Sequence, residues 1–128
     1  LVAWARVDEP TDWGSVFGCL QDNGDKERGF VLGFNKTRFT FGLASKGADD
    51  GDGKMTYLTG RTDYRPGRWY HLAAVYTGKR MTLYVNGRPD GESDEQSGPV
   101  DYAASAPLTI GRYKDADEDY PLKGAVHE

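Results

Sequence analysis

The segment from Met81 to Gly87 constrains the fold of this chain more than any other segment. Its apolar residues occupy every second position, which predicts a strand with one face on a core. Asn86-Gly87 follows, and both residue types accept a positive φ at small steric cost. The pair therefore predicts a two-residue turn and a β-hairpin. The apolar positions are Met81, Leu83 and Val85.

The same alternation recurs along the chain and predicts an all-β fold. Glycine is abundant, with 17 residues in 128, and helical periodicity is absent, which favours short strands joined by turns. We expect an antiparallel sandwich of two β-sheets. The predicted strands are residues 1–7, 15–20, 30–34, 39–43 and 55–59, with others at Trp69, Met81 and Leu108. The predicted core consists of Phe30, Leu32, Phe34, Phe39, Phe41, Leu72 or Val75, Met81, Leu83, Val85, Leu108 and Ile110.

Length and charge exclude several classes of protein. A chain of 128 residues corresponds to one domain. A formal net charge of −4 disfavours nucleic acid binding, because contact with phosphates requires a basic surface. No apolar run is long enough to span a bilayer, so we expect no membrane insertion. Cys19 is the only cysteine, which excludes an internal disulfide.

Four motifs follow one another along nearly the whole chain. They are Val2-Ala3-Trp4-Ala5-Arg6-Val7, then Trp-x-His-x-Ala-x-x-Tyr-x-Gly at residues 69–78 with residues 81–87, then Leu108-Thr109-Ile110-Gly111-Arg112, and finally Gly124-Ala125-Val126-His127-Glu128. Together they resemble the laminin-G-like branch of the concanavalin A-like lectin/glucanase superfamily. The resemblance implies a jelly-roll sandwich that commonly binds glycans or proteins, often with calcium.

The resemblance also carries expectations about the parent protein. Comparison with that family predicts a further strand before Leu1 and a continuation of the last strand after Glu128. We therefore predict that residues 1–128 form one domain, truncated at both ends, of a larger secreted or cell-surface protein. Laminin-G domains of animal matrix proteins often carry a disulfide, so the single cysteine favours a bacterial relative.

Two acidic segments resemble calcium-binding loops. In pentraxins, which share this branch, an Asp-Asn pair at the end of an early strand and a later acidic loop supply calcium ligands. Asp22-Asn23 matches the pair, and Asp115, Asp117 and Glu118 match the loop by position, although not by spacing. Calcium takes about six to eight oxygen ligands, which two converging acidic loops can supply. The alternative is that both segments are solvated turns of an acidic protein.

Six aromatic residues are predicted to face outward or to lie on loops. Sugar rings stack their apolar faces on aromatic planes while nearby polar side chains bind the hydroxyls, so this set predicts a carbohydrate-binding face. The alternative is that the tyrosines cap sheet edges or pack inward with only the hydroxyl in water. The six residues are Trp13, Tyr57, Tyr64, Tyr84, Tyr113 and Tyr120.

Catalysis is not expected of this domain. Glucanases of the superfamily carry Glu-x-Asp-x-Glu on a strand, which aims alternate carboxylates at one glycosidic bond. Residues 115–119 alternate, but they present Asp at all three positions in a predicted loop. We predict a non-catalytic carbohydrate-binding module, accessory to a secreted or surface enzyme. Its expected partners are a carbohydrate or glycoprotein and a neighbouring domain. A protein-interaction or adhesion module is the alternative, and a glycoside hydrolase is a third.

Overall fold

The computed structural model describes residues 1–127, which form twelve β-strands and no helix. Because this range has no helix, it has none that could cross a membrane. Glu128, the last residue of the motif at Gly124, lies outside the described residues. The strands are β1 (Val2–Val7), β2 (Gly14–Asn23), β3 (Lys26–Asn35), β4 (Arg38–Ala44), β5 (Met55–Asp63), β6 (Trp69–Tyr76), β7 (Met81–Val85), β8 (Arg88–Ser93), β9 (Thr109–Ile110), β10 (Arg112–Lys114), β11 (Asp119–Pro121) and β12 (Gly124–His127).

Ten of these strands form two antiparallel sheets that pack face to face. Within residues 1–127, sheet I has the order β12-β1-β6-β7-β8 and sheet II has the order β5-β4-β3-β2-β9. The other two strands, β10 and β11, pair as a separate hairpin. The predicted antiparallel jelly-roll sandwich is confirmed.

The predicted turn after β7 is present. Asn86 and Gly87 have φ values of 50° and 76°, the positive values that a primed hairpin turn requires. The Asn86 Oδ1 atom accepts the His71 N–H at 2.9 Å, and the Asn86 N–H donates to the His71 carbonyl at 2.7 Å. These two bonds fix the turn to the neighbouring strand β6.

The facing sides of the two sheets enclose the main core. Leu72 and Leu83 are fully buried, whereas Val75 is 44% exposed, so the structure selects Leu72 from the two predicted alternatives. Phe30 is half-buried and packs against this core. The other predicted core residues that are buried here are Leu32, Phe34, Phe39, Phe41, Met81 and Val85.

The prediction that Leu108 and Ile110 belong to the core is wrong. Their exposed fractions are 66% and 72%, and both line an open apolar groove with Phe17 and Val126. Within residues 1–127, strand β9 lies at the edge of sheet II and pairs only with β2. Alternation in a sequence identifies a strand but not its place in the sheet, and an edge strand is covered on fewer sides.

A buried carboxylate closes the opposite edge of the sandwich. Asp90 on β8 is 6% exposed, and it accepts the N–H groups of Arg61 and Thr62 on β5 at 3.0–3.2 Å. The Thr62 hydroxyl donates to the same carboxylate at 2.6 Å. A buried charge is tolerated here because these donors replace its water, and the bonds join sheet I to sheet II.

Sheet II is apolar on its outer face as well. Tyr113 of β10 packs there against Leu20 of β2 and Met55 of β5, with Val31 and Ala44 in the same cluster, which we call the second core. The β10–β11 hairpin therefore covers the outer face of sheet II. This packing brings the acidic segment between β10 and β11 close to the end of β2, where Asp22 and Asn23, predicted in a loop, complete the strand.

We expect Leu83→Ala to lower the free energy of unfolding by about 2–5 kcal/mol, because it leaves a cavity between the two sheets. Val75→Ala is the matched control on the exposed face of the neighbouring strand, and it should cost less than about 1 kcal/mol. Denaturant unfolding followed by circular dichroism measures both values. Equal losses in the two variants would contradict the assignment of the inner face.

Candidate functional site

Three aromatic rings and two carboxylates surround one cavity on the outer face of sheet II. The cavity has a volume of about 130 Å³. We call it the tyrosine pocket. Its lining residues are Trp13, Asp22, Tyr57, Tyr113 and Glu118.

Trp13 lines the tyrosine pocket and is 39% exposed. It lies in the loop before β2, where its carbonyl accepts the Thr11 hydroxyl at 2.7 Å. The Lys36 N–H donates to the Thr11 carbonyl at 2.8 Å, which ties this loop to the turn between β3 and β4. The Trp13 ring is 5.3 Å from the Tyr57 ring at an interplanar angle of 57°. Backbone hydrogen bonds thus hold the indole beside the pocket.

Gly42 makes room for the Tyr57 ring. The two residues are paired across β4 and β5. A Cβ atom at Gly42 would lie 2.9 Å from the Tyr57 ring and 2.7 Å from Val31 Cγ1, so any larger residue would displace the ring. Gly42 is not among the site residues predicted from the sequence. Its signal was a glycine inside an alternating strand, which marks a close approach by another group.

Two tyrosine hydroxyls surround the carboxylate of Asp22. The Tyr57 hydroxyl donates to Asp22 Oδ2 at 2.7 Å, and the Tyr113 hydroxyl lies 3.4 Å from the same atom. The two hydroxyl oxygens are 3.2 Å apart. Burial raises the pKa of Tyr57 and of Tyr113 well above the usual value. Both phenols therefore remain neutral hydrogen-bond donors at physiological pH.

Asp115 organises the acidic segment that follows β10. It is 8% exposed, and its Oδ1 atom accepts the N–H groups of Asp117 at 3.1 Å and Glu118 at 2.7 Å. Burial raises the pKa of Asp115 above its usual value, while these two bonds lower it. Its Oδ2 atom is buried without a hydrogen-bond partner among the described residues.

Asn23 joins the end of β2 to this acidic segment. Its Nδ2 atom donates to Asp117 Oδ1, and its own Oδ1 atom is buried without a partner in the described part of the chain. Unpaired buried oxygens are unusual, and a hard cation would satisfy them. Asn23, Asp115 and Asp117 thus offer oxygen atoms of the type that calcium binds.

The structure divides the five predicted calcium ligands into two groups. Asp22 and Glu118 line the tyrosine pocket, whereas Asn23, Asp115 and Asp117 are linked by hydrogen bonds beside it. Across residues 1–127, no three His, Cys, Asp or Glu side chains are gathered closely enough to hold a metal ion. The donor chemistry fits calcium, with backbone carbonyls and water needed to complete the usual coordination.

The predicted aromatic set is also divided. Trp13, Tyr57 and Tyr113 meet at the tyrosine pocket. The prediction that Tyr113 faces outward or lies on a loop is wrong, because Tyr113 lies on β10 and is 3% exposed. Tyr120 on β11 is adjacent, because its ring is 6.0 Å from that of Tyr113 and its hydroxyl donates to Glu118 at 2.9 Å. Tyr84 lies half-buried on β7 in sheet I, outside this group.

Tyr64 lies on a loop, the segment that follows β5, but its side chain does not face outward. Tyr64 is 3% exposed and its ring stacks on Phe39 with 4.7 Å between the centroids. Its hydroxyl donates to the Lys36 carbonyl, and burial raises its pKa to about 12. The residue lies just after a strand, where sequence alternation no longer indicates which way a side chain points. Tyr64 therefore belongs to the main core.

Sheet I carries a second exposed apolar surface, which the sequence analysis did not predict. Trp4 and Trp69 are each 43% exposed on the face of sheet I away from the core. The Trp4 ring lies 5.2 Å from the His71 ring, and the Arg6 guanidinium lies 5.4 Å above the Trp69 ring. We call this surface the outer patch of sheet I. It consists of Val2, Trp4, Trp69 and Val75.

Solved structures of known proteins share this fold. The heptameric SAP-like pentraxin of Limulus polyphemus matches with a TM-score of 0.66 and 19% identity, covering 98% of this chain and 58% of the pentraxin. A Bacteroides ovatus protein named for a proposed carbohydrate-binding role matches with a TM-score of 0.67 and 20% identity, covering 99% of this chain and 34% of the Bacteroides chain. Domains LG4-5 of the mouse laminin α1 chain match with a TM-score of 0.65 and 16% identity, covering 98% of this chain and 32% of the laminin chain. At these identities the likeness shows the fold alone.

Sequence relatives carry the comparison further. Mouse pappalysin-1 is 32% identical over 111 residues and human pappalysin-1 is 36% identical over 111 residues. Each match covers 78% of this chain and only 7% of the pappalysin. The sequence profile of one family, a laminin G family described as the concanavalin A-like lectin/glucanases superfamily, matches residues 1–128. This chain therefore belongs to the laminin G family of the concanavalin A-like lectin/glucanases superfamily.

Proposed function

We propose that this domain is a non-catalytic carbohydrate-binding module and that the tyrosine pocket binds the sugar. One observation carries the proposal: an exposed indole stands beside a cavity that also holds two carboxylates and two neutral phenols. The apolar face of a sugar ring would stack on Trp13. Its hydroxyls would donate to Asp22 and Glu118, since each carboxylate has one oxygen that accepts no hydrogen bond from the described residues. The carbohydrate-binding role proposed for the Bacteroides ovatus neighbour supports this function.

The domain is proposed to act as an extracellular part of a longer polypeptide. The matched segments make up only 7% of mouse and human pappalysin-1, so related domains occur within much longer chains. The laminin α1 domains share the fold and support an extracellular or cell-surface location. In this arrangement the module delivers an attached enzyme to its glycan. Bacterial origin stays a prediction.

Trp13→Ala should weaken binding of any glycan identified on a carbohydrate array at least about tenfold, because a central aromatic contact typically contributes this much. Trp4→Ala is the matched control, since Trp4 is 43% exposed against 39% for Trp13 and lies on the other sheet. Titration calorimetry with the array ligand measures both affinities.

Two outcomes would contradict the proposal. One is an array without any bound glycan. The other is an equal loss of affinity in Trp13→Ala and Trp4→Ala, which would place the sugar outside the tyrosine pocket. Tyr113→Ala is unsuitable as a test because Tyr113 is 3% exposed and packs in the second core. Tyr113→Phe keeps the ring and removes only the hydroxyl.

Calcium is proposed as a co-ligand beside the tyrosine pocket. The unpartnered oxygens of Asn23 and Asp115 and the carboxylate of Asp117 would hold the ion. When bound, calcium would supply positive charge that stabilises three acidic or polar side chains and orders the segment after β10. Asp22 and Glu118, the other two predicted ligands, would remain available to the sugar.

Calcium at about 10 mM should raise the melting temperature by roughly 3–5 °C, the stabilisation expected for a site with a Kd near 1 mM. A chelator should reverse the shift, and Asp115→Asn should abolish it. Asp25→Asn removes the same charge from an exposed turn and should leave the shift intact. A melting temperature unaffected by calcium in the unmodified protein would remove the ion from the proposal.

A protein-interaction or adhesion module is the second candidate, and the outer patch of sheet I favours it. This patch exposes the apolar side chains of Val2, Trp4, Trp69 and Val75 on one face of the sheet. A neighbouring domain of the same polypeptide would cover it. Trp69→Ala should then lower the melting temperature of this domain inside its parent protein and leave the isolated domain unchanged. The same shift in both contexts would contradict this role.

A further inference from the structure

The tyrosine pocket combines negative charge with aromatic walls. Asp22 and Glu118 both line it. Neither carboxylate forms an ion pair with any Lys, Arg or His in the described residues. By contrast, Asp119 on the same hairpin binds both Arg112 and Lys114. The charge in the pocket is therefore uncompensated, whereas that of its neighbour on β11 is balanced within the chain.

The hydrogen bonds within the pocket leave acceptor capacity free. The hydroxyls of Tyr57 and Tyr113 form hydrogen bonds with only one oxygen of Asp22, the Oδ2 atom. The Tyr120 hydroxyl donates to only one oxygen of Glu118, the Oε1 atom. Among residues 1–127, the second oxygen of each carboxylate has no donor from the protein. A ligand that fills this pocket must therefore bring donors, and a cationic donor gains more than a neutral one beside two carboxylates.

The aromatic walls favour the same kind of group. Cations are attracted to the faces of indole and phenol rings within about 6 Å of the ring centre. The Trp13 and Tyr57 rings are 5.3 Å apart and tilted by 57°, and both line the cavity. A protonated amine satisfies both the rings and the carboxylates, whereas a neutral hydroxyl satisfies only the carboxylates.

We propose that the tyrosine pocket binds the protonated amine of an unacetylated amino sugar. This inference rests on the proposed carbohydrate-binding function and names its ligand class. A cavity of about 130 Å³ equals the volume of roughly four water molecules. It admits an ammonium group and the adjoining ring edge, and the remaining apolar face of the sugar lies against the exposed Trp13. Asp22 and Glu118 accept from the ammonium group.

The experiment compares three short oligosaccharides with the same β-1,4 backbone, built from glucosamine, N-acetylglucosamine or glucose. They differ only in the group on carbon 2, and acetylation removes the charge. Titration calorimetry at physiological salt, after dialysis against a chelator, gives the affinities. We expect the glucosamine oligomer to bind at least about tenfold more tightly than the other two, the ratio typical of a charge-assisted hydrogen bond.

Glu118→Gln and Asp22→Asn should each remove about tenfold of the affinity for the glucosamine oligomer and a smaller factor of the affinity for the glucose oligomer, whose neutral hydroxyls donate to the same carboxylates. Asp25→Asn changes the net charge equally at an exposed turn and should keep the full affinity, which excludes a general attraction to an acidic protein. If Asp22→Asn lowers the melting temperature so far that its affinity cannot be measured, the affinity of Glu118→Gln alone tests the inference.

The possible failures are distinguishable. Equal affinity for the three oligosaccharides, or preference for a neutral one, would overturn this inference and leave the carbohydrate-binding function standing. Nα-acetyl-lysine amide carries a free side-chain amine and no sugar. If it binds as tightly as the glucosamine oligomer, the pocket is assigned to an amine of a protein partner and the sugar assignment is overturned. Absence of binding to these oligosaccharides and to a glycan array would overturn both proposals.

Discussion

Sheet II is apolar on both faces, and the arrangement of the candidate site follows from this constraint. Its inner face packs against sheet I through residues such as Phe41, while its outer face exposes Leu20 and Met55 unless another element covers them. The β10–β11 hairpin provides that cover with Tyr113. Because burial of apolar area is the main favourable term in folding, the hairpin is held over β2. The site is formed where this cover ends.

The polar groups at this boundary are placed by the packing around them. Tyr57 and Tyr113 are anchored as apolar rings in the second core, and their hydroxyls emerge at Asp22. Gly42 leaves the space that the Tyr57 ring occupies. Because these rings are held by the core, the side chains of the pocket lose little conformational entropy when a ligand binds. A pocket built on sheet and hairpin is more preorganised than one built on loops alone.

One edge of the sandwich is closed by hydrogen bonds between the sheets, whereas the other edge exposes apolar side chains. Asp90 closes one edge with hydrogen bonds between β8 and β5. The other edge leaves Leu108 and Ile110 exposed in an apolar groove, and the outer patch of sheet I adds Trp4 and Trp69. These apolar surfaces lie apart from the tyrosine pocket. A module with this distribution can bind a small ligand at one place and pack against protein at another, which reconciles the two proposed functions.

The sequence alone determined most of the strands, the Asn86-Gly87 turn and most of the core, because alternation and turn chemistry act between near neighbours in the chain. It also named Trp13, Tyr57 and Tyr113. Only the tertiary structure decided that these rings meet at Asp22, that Tyr64 is buried and that Ile110 is exposed. The physical reason is that burial and proximity depend on which strands become neighbours and which lie at an edge, and these relations join residues far apart in sequence.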